Sequence, residues 1–118
     1  MIEIVATSSA RIVDAPLHVA YDSEVLRFLD ASAGGFLSLD GGQLVFLANG
    51  HTRPGDVAIG IGRTNRTLGL EGTGTLCRLR FVALAAGATT IGISRAMAWT
   101  DTGRLLPVRL ASLELHLR

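Results

Sequence analysis

The chain has no lysine; all 11 of its basic residues are arginine. Ten acidic residues nearly balance them, leaving a net charge of +1. A field that weak argues against a highly charged partner such as duplex DNA. Arginine usage of this kind fits a GC-rich gene better than selection for bidentate binding. There is one cysteine, Cys77, which excludes an internal disulfide framework and a multi-cysteine zinc site. Aromatic residues make up only 5%. That supplies a multi-ring sugar platform poorly, and it does not give the interleaved rings of a single-strand nucleic-acid binder. No run approaches the ~20 apolar residues of a spanning helix, and no signal-peptide pattern opens the chain. The expectation is a cytosolic protein or, preferably, a domain of something larger, with no membrane insertion of this segment.

What remains is abundant β-type alternation. Hydrophobic residues make up 48% of 118 positions, and 14 glycines punctuate them. Apolar residues recur every second position in Ile2–Ala6, Ala15–Tyr21, Leu26–Phe28, Leu44–Ala48, Val57–Ile61, Thr89–Ile93 and Ala111–Leu117, the period of a strand with one buried face. Turn chemistry separates them: Asp40-Gly-Gly42, Asn49-Gly50, Arg53-Pro-Gly-Asp56, Gly72-Thr-Gly74, Ala86-Gly87 and Asp101-Thr-Gly103. Signals spaced by roughly 8–15 residues fit a sandwich or barrel. The expected architecture is all-β, a single domain over residues 1–118, with no long helix. A single helical turn through Glu24-Val-Leu26, capped by Asp22 or Ser23, is the one exception allowed.

The stretch from Glu71 to Gly87 is the most informative. Its Gly72-Thr-Gly74 reads as a turn that launches a long strand. Leu76 and Leu79 cannot both face inward on a regular strand. A β-bulge near Cys77 and Arg78 resolves the conflict, as does burial of both faces at the strand's start. Leu79 and Phe81 are then expected in the core, with Arg78 and Arg80 outside.

Candidate chemistry is sparse. His18, His51 and His116 have no second histidine or cysteine at metal-ligand spacing, so they read as surface residues. Asp22 reads as a turn former accepting backbone N–H groups, because no Asp-x-Asp-x-Asp run supplies a calcium loop. Cys77 sits at inward parity and reads as a small buried residue rather than a nucleophile. Gly60-Ile-Gly62 before Arg63-Thr-Asn-Arg66 lacks the following helix that phosphate binding needs. Trp99 is expected to pack in the core or at an edge. No acid–base pair, nucleophile–base pair, metal set or cofactor motif is visible, so no catalytic role is expected.

The order of motifs resembles that of bacterial cohesin domains across the whole chain. Ile2-Glu-Ile-Val5 leads, followed by a strand ending in Tyr21-Asp-x-x-Val-Leu26. Then come Gly72-x-Gly-x-Leu-x-x-Leu-x-Phe81, Ala86-Gly87 with Thr90-Ile91, and Asp101-x-Gly-x-x-x-Pro-Val108 before the last strand. Ser23 stands where the family usually has proline, and the usual polar lead-in is missing. The resemblance implies a two-sheet β-sandwich with jelly-roll topology and about nine strands. It implies a non-catalytic protein-interaction module of an extracytoplasmic assembly, whose partner is a dockerin-like module or a secretion-complex subunit. A carbohydrate-binding module of the same superfamily, with polysaccharide as ligand, is the alternative; Trp99 and Tyr21 in one flat exposed patch would favour it. The candidate partner-binding residues are Arg53, Arg63, Asn65, Arg66, Arg78 and Arg80, because arginine anchors interfaces well. An oligomerisation domain is a further reading, with an open edge near the chain start and the Leu113, Leu115, Leu117 strand.

Overall fold

The alternating segments become ten strands and one short helical turn in the computed structural model, which describes residues 2–86, 89–106 and 111–117. In chain order they are β1 (Ile2–Asp14), β2 (Leu17–Tyr21), β3 (Leu26–Ala33), a 3-10 turn (Phe36–Ser38), β4 (Leu44–Asn49) and β5 (Asp56–Arg63). There follow β6 (Leu70–Ala83), β7 (Ile91–Ala96), β8 (Ala98–Thr100), β9 (Leu105–Leu106) and β10 (Ala111–Leu117). Ten strands replace about nine because the Asp101-Thr-Gly103 reversal, with Gly103 at φ +80°, joins the short β8 and β9.

All pairings are antiparallel, and the strands form the expected jelly-roll sandwich. One layer runs β3–β6–β1, with β10 on the far side of β1. The other runs β4–β5–β2–β7. The 13-residue β1 belongs to both. Residues 2–8 lie between β6 and β10, and residues 12–14 reach β5 and β8. The chain start is therefore interior to a sheet, and the edge beside it is β10, which among the described residues pairs only with β1.

Between the layers lie Ile4, Ala6, Leu17, Val19, Phe28, Val57, Ile59, Ile61, Cys77 and Leu79, all buried. Each large side chain among them contributes about 1.5–3 kcal/mol by leaving water, an upper figure because the unfolded chain is itself partly collapsed. Phe36 and Leu37 plug one end of the sandwich, a role that no alternation in the sequence announces. Two glycines make room for them. A Cβ at Gly34 would sit 2.1 Å from the Thr75 carbonyl oxygen, and Phe36 packs directly over Gly74.

Two glycine readings change. Gly72 and Gly74 lie inside β6 rather than in a turn before it, and Gly72 takes φ +114° where β6 loses register with β1. Gly50 does not have positive φ; it is glycine because a Cβ would lie 2.2 Å from the Phe28 ring. The left-handed residue of that hairpin loop is Gly55, at φ +79°.

The expected bulge is present. Ile4 pairs with Cys77 and Val5 with Thr75, so Leu76 is the extra residue. Gly74 before it, Leu76 itself, and Cys77 and Leu79 after it all point inward. Phe81 is only half-buried, edge-on to both Tyr21 and Phe28.

Candidate partner-binding face

The sandwich presents two outer faces of opposite character. On the β3–β6–β1 face, charges are paired with one another, at the surface for Asp30 and buried for Glu3. Arg80 holds Asp30 with two guanidinium contacts across the β3–β6 ladder. Arg78 lies 3.4 Å from Glu3, and the Thr75 hydroxyl donates to the same Glu3 carboxylate at 3.0 Å. Beside them the hydroxyls of Thr7 and Thr73 meet at 3.0 Å. Asp30 is held below the usual carboxylate range by the Arg80 hydrogen bonds.

The centre of the β4–β5–β2–β7 face is built from small and neutral residues, with Asp56 and Arg95 opposite Ala20 and His18. Cross-strand register sets Val45 opposite Gly62, and Leu47 opposite Gly60. The next row sets Asn49 and His18 either side of Ala58. Ala20 stands between Asp56 and Gly92. Glycine and alanine on the central strand leave the edge strand's side chains standing proud. Val45 is 52% exposed and Leu47 is 70% exposed. They wall two shallow grooves of about 480 and 430 Å³ floored by Ala58, Gly60 and Gly62. Gly60 has open space where a side chain would be.

Polar side-chain pairs frame this face at its two ends. At one end His18 Nδ1 lies 3.1 Å from both Asp56 carboxylate oxygens. At the other, Arg66 reaches Asp14 at 3.4 Å.

The six residues expected to bind a partner do not form one patch. Arg53 is exposed in the β4–β5 loop, while Asn65 and Arg66 are exposed beyond the other end of β5. Arg78 and Arg80 lie on the opposite layer and are paired as above. Arg63 is corrected outright: it is 3% exposed. It sits at inward parity after Val57, Ile59 and Ile61, and its guanidinium donates to the Leu37 carbonyl at 2.7 Å and to both Asp40 oxygens at 3.0 and 2.7 Å. That side chain is internal wiring between β5 and the plug that precedes β4. Arg63 and the Gly42 N–H together push the Asp40 carboxyl down to about 2. Asn65 is also occupied locally, accepting from the Thr67 N–H and hydroxyl.

The remaining candidates are placed as follows. Asp22 accepts from the Glu24 N–H through its side chain and from Val25 and Leu26 through its carbonyl, so it is a turn former. Cys77 is fully buried, and burial pushes its thiol up to about 12. His51 stacks obliquely on Phe28. Trp99 is 37% exposed on β8, whereas the Tyr21 ring packs against Phe81, so the two do not make a flat aromatic pair. Among the described residues no group of His, Cys, Asp or Glu could hold a metal ion, and no helix is long and apolar enough to cross a membrane. Gly87 and Pro107-Val108 fall outside the described residues, as does the side chain of His116.

Val45, Leu47 and the small residues opposite them were the part that the sequence reading missed. The alternation marked both strands, but it gave no sign that the opposing β5 positions were glycines in register.

No protein-family model matches the sequence, and no curated protein matches it. Solved structures do. A cohesin module of a family 33 glycoside hydrolase from Clostridium perfringens superposes with TM-score 0.70 at 14% identity, covering 92% of this chain and 72% of that one. A type II cohesin from an Acetivibrio cellulolyticus cohesin–X-dockerin complex gives TM-score 0.74 at 14% identity, covering 90% and 81%. A non-cellulosomal cohesin from the archaeon Archaeoglobus fulgidus gives 0.67 at 14%, covering 91% and 72%. The chain therefore has a cohesin-like fold.

Proposed function

We propose that this domain is a non-catalytic protein-interaction module that receives a dockerin-like partner on the outer face of β4–β5–β2–β7. The observation that carries the reading is the face itself: Val45 and Leu47 stand exposed over a floor of Gly60, Gly62 and Ala58. A neutral, shallow, partly apolar centre with charged ends is the anatomy of an interface core and rim. Similar folds have been solved holding dockerins, two of them from Acetivibrio cellulolyticus, which supports a dockerin-like partner. The other face offers no comparable apolar centre among its described residues, since its arginines are already engaged. By the same analogy the domain serves in an extracytoplasmic scaffold assembly.

The test is Gly60→Arg. That site has room for a side chain, so the fold should survive while the floor is filled. Isothermal titration against a panel of dockerin modules should give a binder, and Gly60→Arg should weaken it by about a hundredfold, or about 2.7 kcal/mol. Binding that is unchanged in Gly60→Arg sinks this face. A panel without a binder, together with glycan-array hits lost in Trp99→Ala, replaces the reading with carbohydrate binding.

A further inference from the structure

The strand beside this face ends the sheet, and its chemistry is unusual for an edge. Among the described residues β4 pairs only with β5. Edge strands ordinarily carry a charge, a proline or a bulge that discourages further pairing. The segment Gln43-Leu-Val-Phe-Leu-Ala-Asn-Gly50 has no charge and no proline, and its register with β5 runs unbroken from Leu44 to Asn49. The β3 edge of the other layer is defended by Arg27, a bulge at Leu29 and Asp30. The β7 edge carries Arg95 and a register shift against β2.

Hydrogen-bond phase fixes which groups the edge offers. The Thr64 N–H donates to the Gln43 carbonyl, so Gln43 and Thr64 form a hydrogen-bonded pair. Such pairs alternate along an antiparallel ladder. Val45, Leu47 and Asn49 therefore bond to Gly62, Gly60 and Ala58, and Ile61 bonds the other way, to Ala15. Leu44, Phe46 and Ala48 direct their N–H and C=O groups away from the sheet.

We propose that β4 pairs with β4 of a second copy of this chain, antiparallel about a two-fold axis through Phe46. Only that register engages all three outward residues: Leu44 meets the second copy's Ala48, Phe46 meets Phe46, and Ala48 meets Leu44. Each such pair exchanges two backbone hydrogen bonds. The same register sets Val45 against the second copy's Leu47 in the close, non-hydrogen-bonded positions, covering the two exposed side chains of the strand. Neither strand carries a charge that would repel its copy, and a two-fold contact closes on itself without forming a fibre. The product is a continuous eight-stranded sheet with two copies of the neutral face side by side. This goes beyond partner docking and does not depend on it, because it is read on the protein alone.

Sedimentation velocity across about a hundredfold range of concentration should show a reversible monomer–dimer equilibrium. Leu47→Lys, which sets a charge against the apolar Val45, should weaken it by about tenfold or more. Ala48→Pro removes an outward N–H without touching the β5 ladder and should do the same. Register is tested by cysteine pairing. An oxidised mixture of Val45→Cys and Leu47→Cys proteins should cross-link between the two species. Either protein alone should not, because its own thiols sit on the diagonal about 7–8 Å apart, beyond disulfide reach. Cys77 is buried and stays out of the reaction. A protein that remains monomeric throughout overturns the proposal, as do a dimer indifferent to both Leu47→Lys and Ala48→Pro or single-cysteine proteins that cross-link as well as the mixture.

Discussion

The two outer faces of this sandwich solve the same problem in opposite ways. Both cover one apolar core, and both are antiparallel ladders of similar strand count. The β3–β6–β1 face spends its polar residues on each other: Arg80 with Asp30, Arg78 and Thr75 with Glu3, Thr7 with Thr73. The β4–β5–β2–β7 face leaves its centre without charge and sends its one internal arginine, Arg63, to the end plug. An arginine on a face is therefore no sign of an unengaged side chain here. Where arginines are exposed and paired they satisfy the fold's own carboxylates; where the face is free, they are at its margins.

That contrast can be broken or sharpened by experiment. The largest effect on stability is expected at Arg63. Arg63→Met keeps the apolar stem but ends where the guanidinium begins, and so leaves the Leu37 carbonyl and Asp40 without their donor. Denaturant unfolding should show a loss of about 2 kcal/mol, less than for a fully buried pair because Asp40 can rehydrate. A stability unchanged by Arg63→Met would return that arginine to the list of binding candidates.

A smaller effect is expected from pH. The folded-state carboxyl of Asp40 sits at about 2 against an ordinary value of 3.8. A lowered pKa stabilises the fold where the group is ionised in both states, so the contribution is complete above pH 3.8. It is lost as pH falls towards 2. Asp30 shifts in the same direction, held by Arg80. Thermal melts between neutral pH and pH 2 should therefore fall, and Asp40→Asn should flatten the slope; an identical slope in that variant would remove Asp40 as its source.

The smallest effect belongs to Arg80→Ala. The pair with Asp30 is solvent-exposed on both sides, and exposed pairs count for little. Its melting temperature and its partner affinity should both match the unaltered protein. A clear loss of affinity there would place the binding surface on the charged face and reverse the comparison.

Sequence periodicity made the sandwich legible. Alternation locates β2, β5 and β10, and the clash of Leu76 with Leu79 narrows β6 to a bulge or to burial of both faces, of which the bulge is found. The placement of Arg63 was not legible, because an arginine following Val57, Ile59 and Ile61 at the same parity looks like the polar stop of a strand. Its burial depends on Asp40, 23 residues away, and on the Leu37 carbonyl. The neutral face was hidden for a related reason. Gly60 and Gly62 read along the chain only as the small positions of an alternating strand, and their register with Leu47 and Val45 is what turns them into a floor. Local pattern names an element and its buried side; what lies beside it is a property of pairing.

The bulge at Leu76 has a consequence for how this domain can change over generations. Removing that one residue would set Thr75 next to Cys77, whose partners Val5 and Ile4 are already neighbours on β1. Every other side chain of β6 would keep its present face. What would be lost is the buried Leu76 side chain and the local kink that carries it. The extra residue is thus a matter of packing rather than of register, and a marker of lineage that percentage identity does not count.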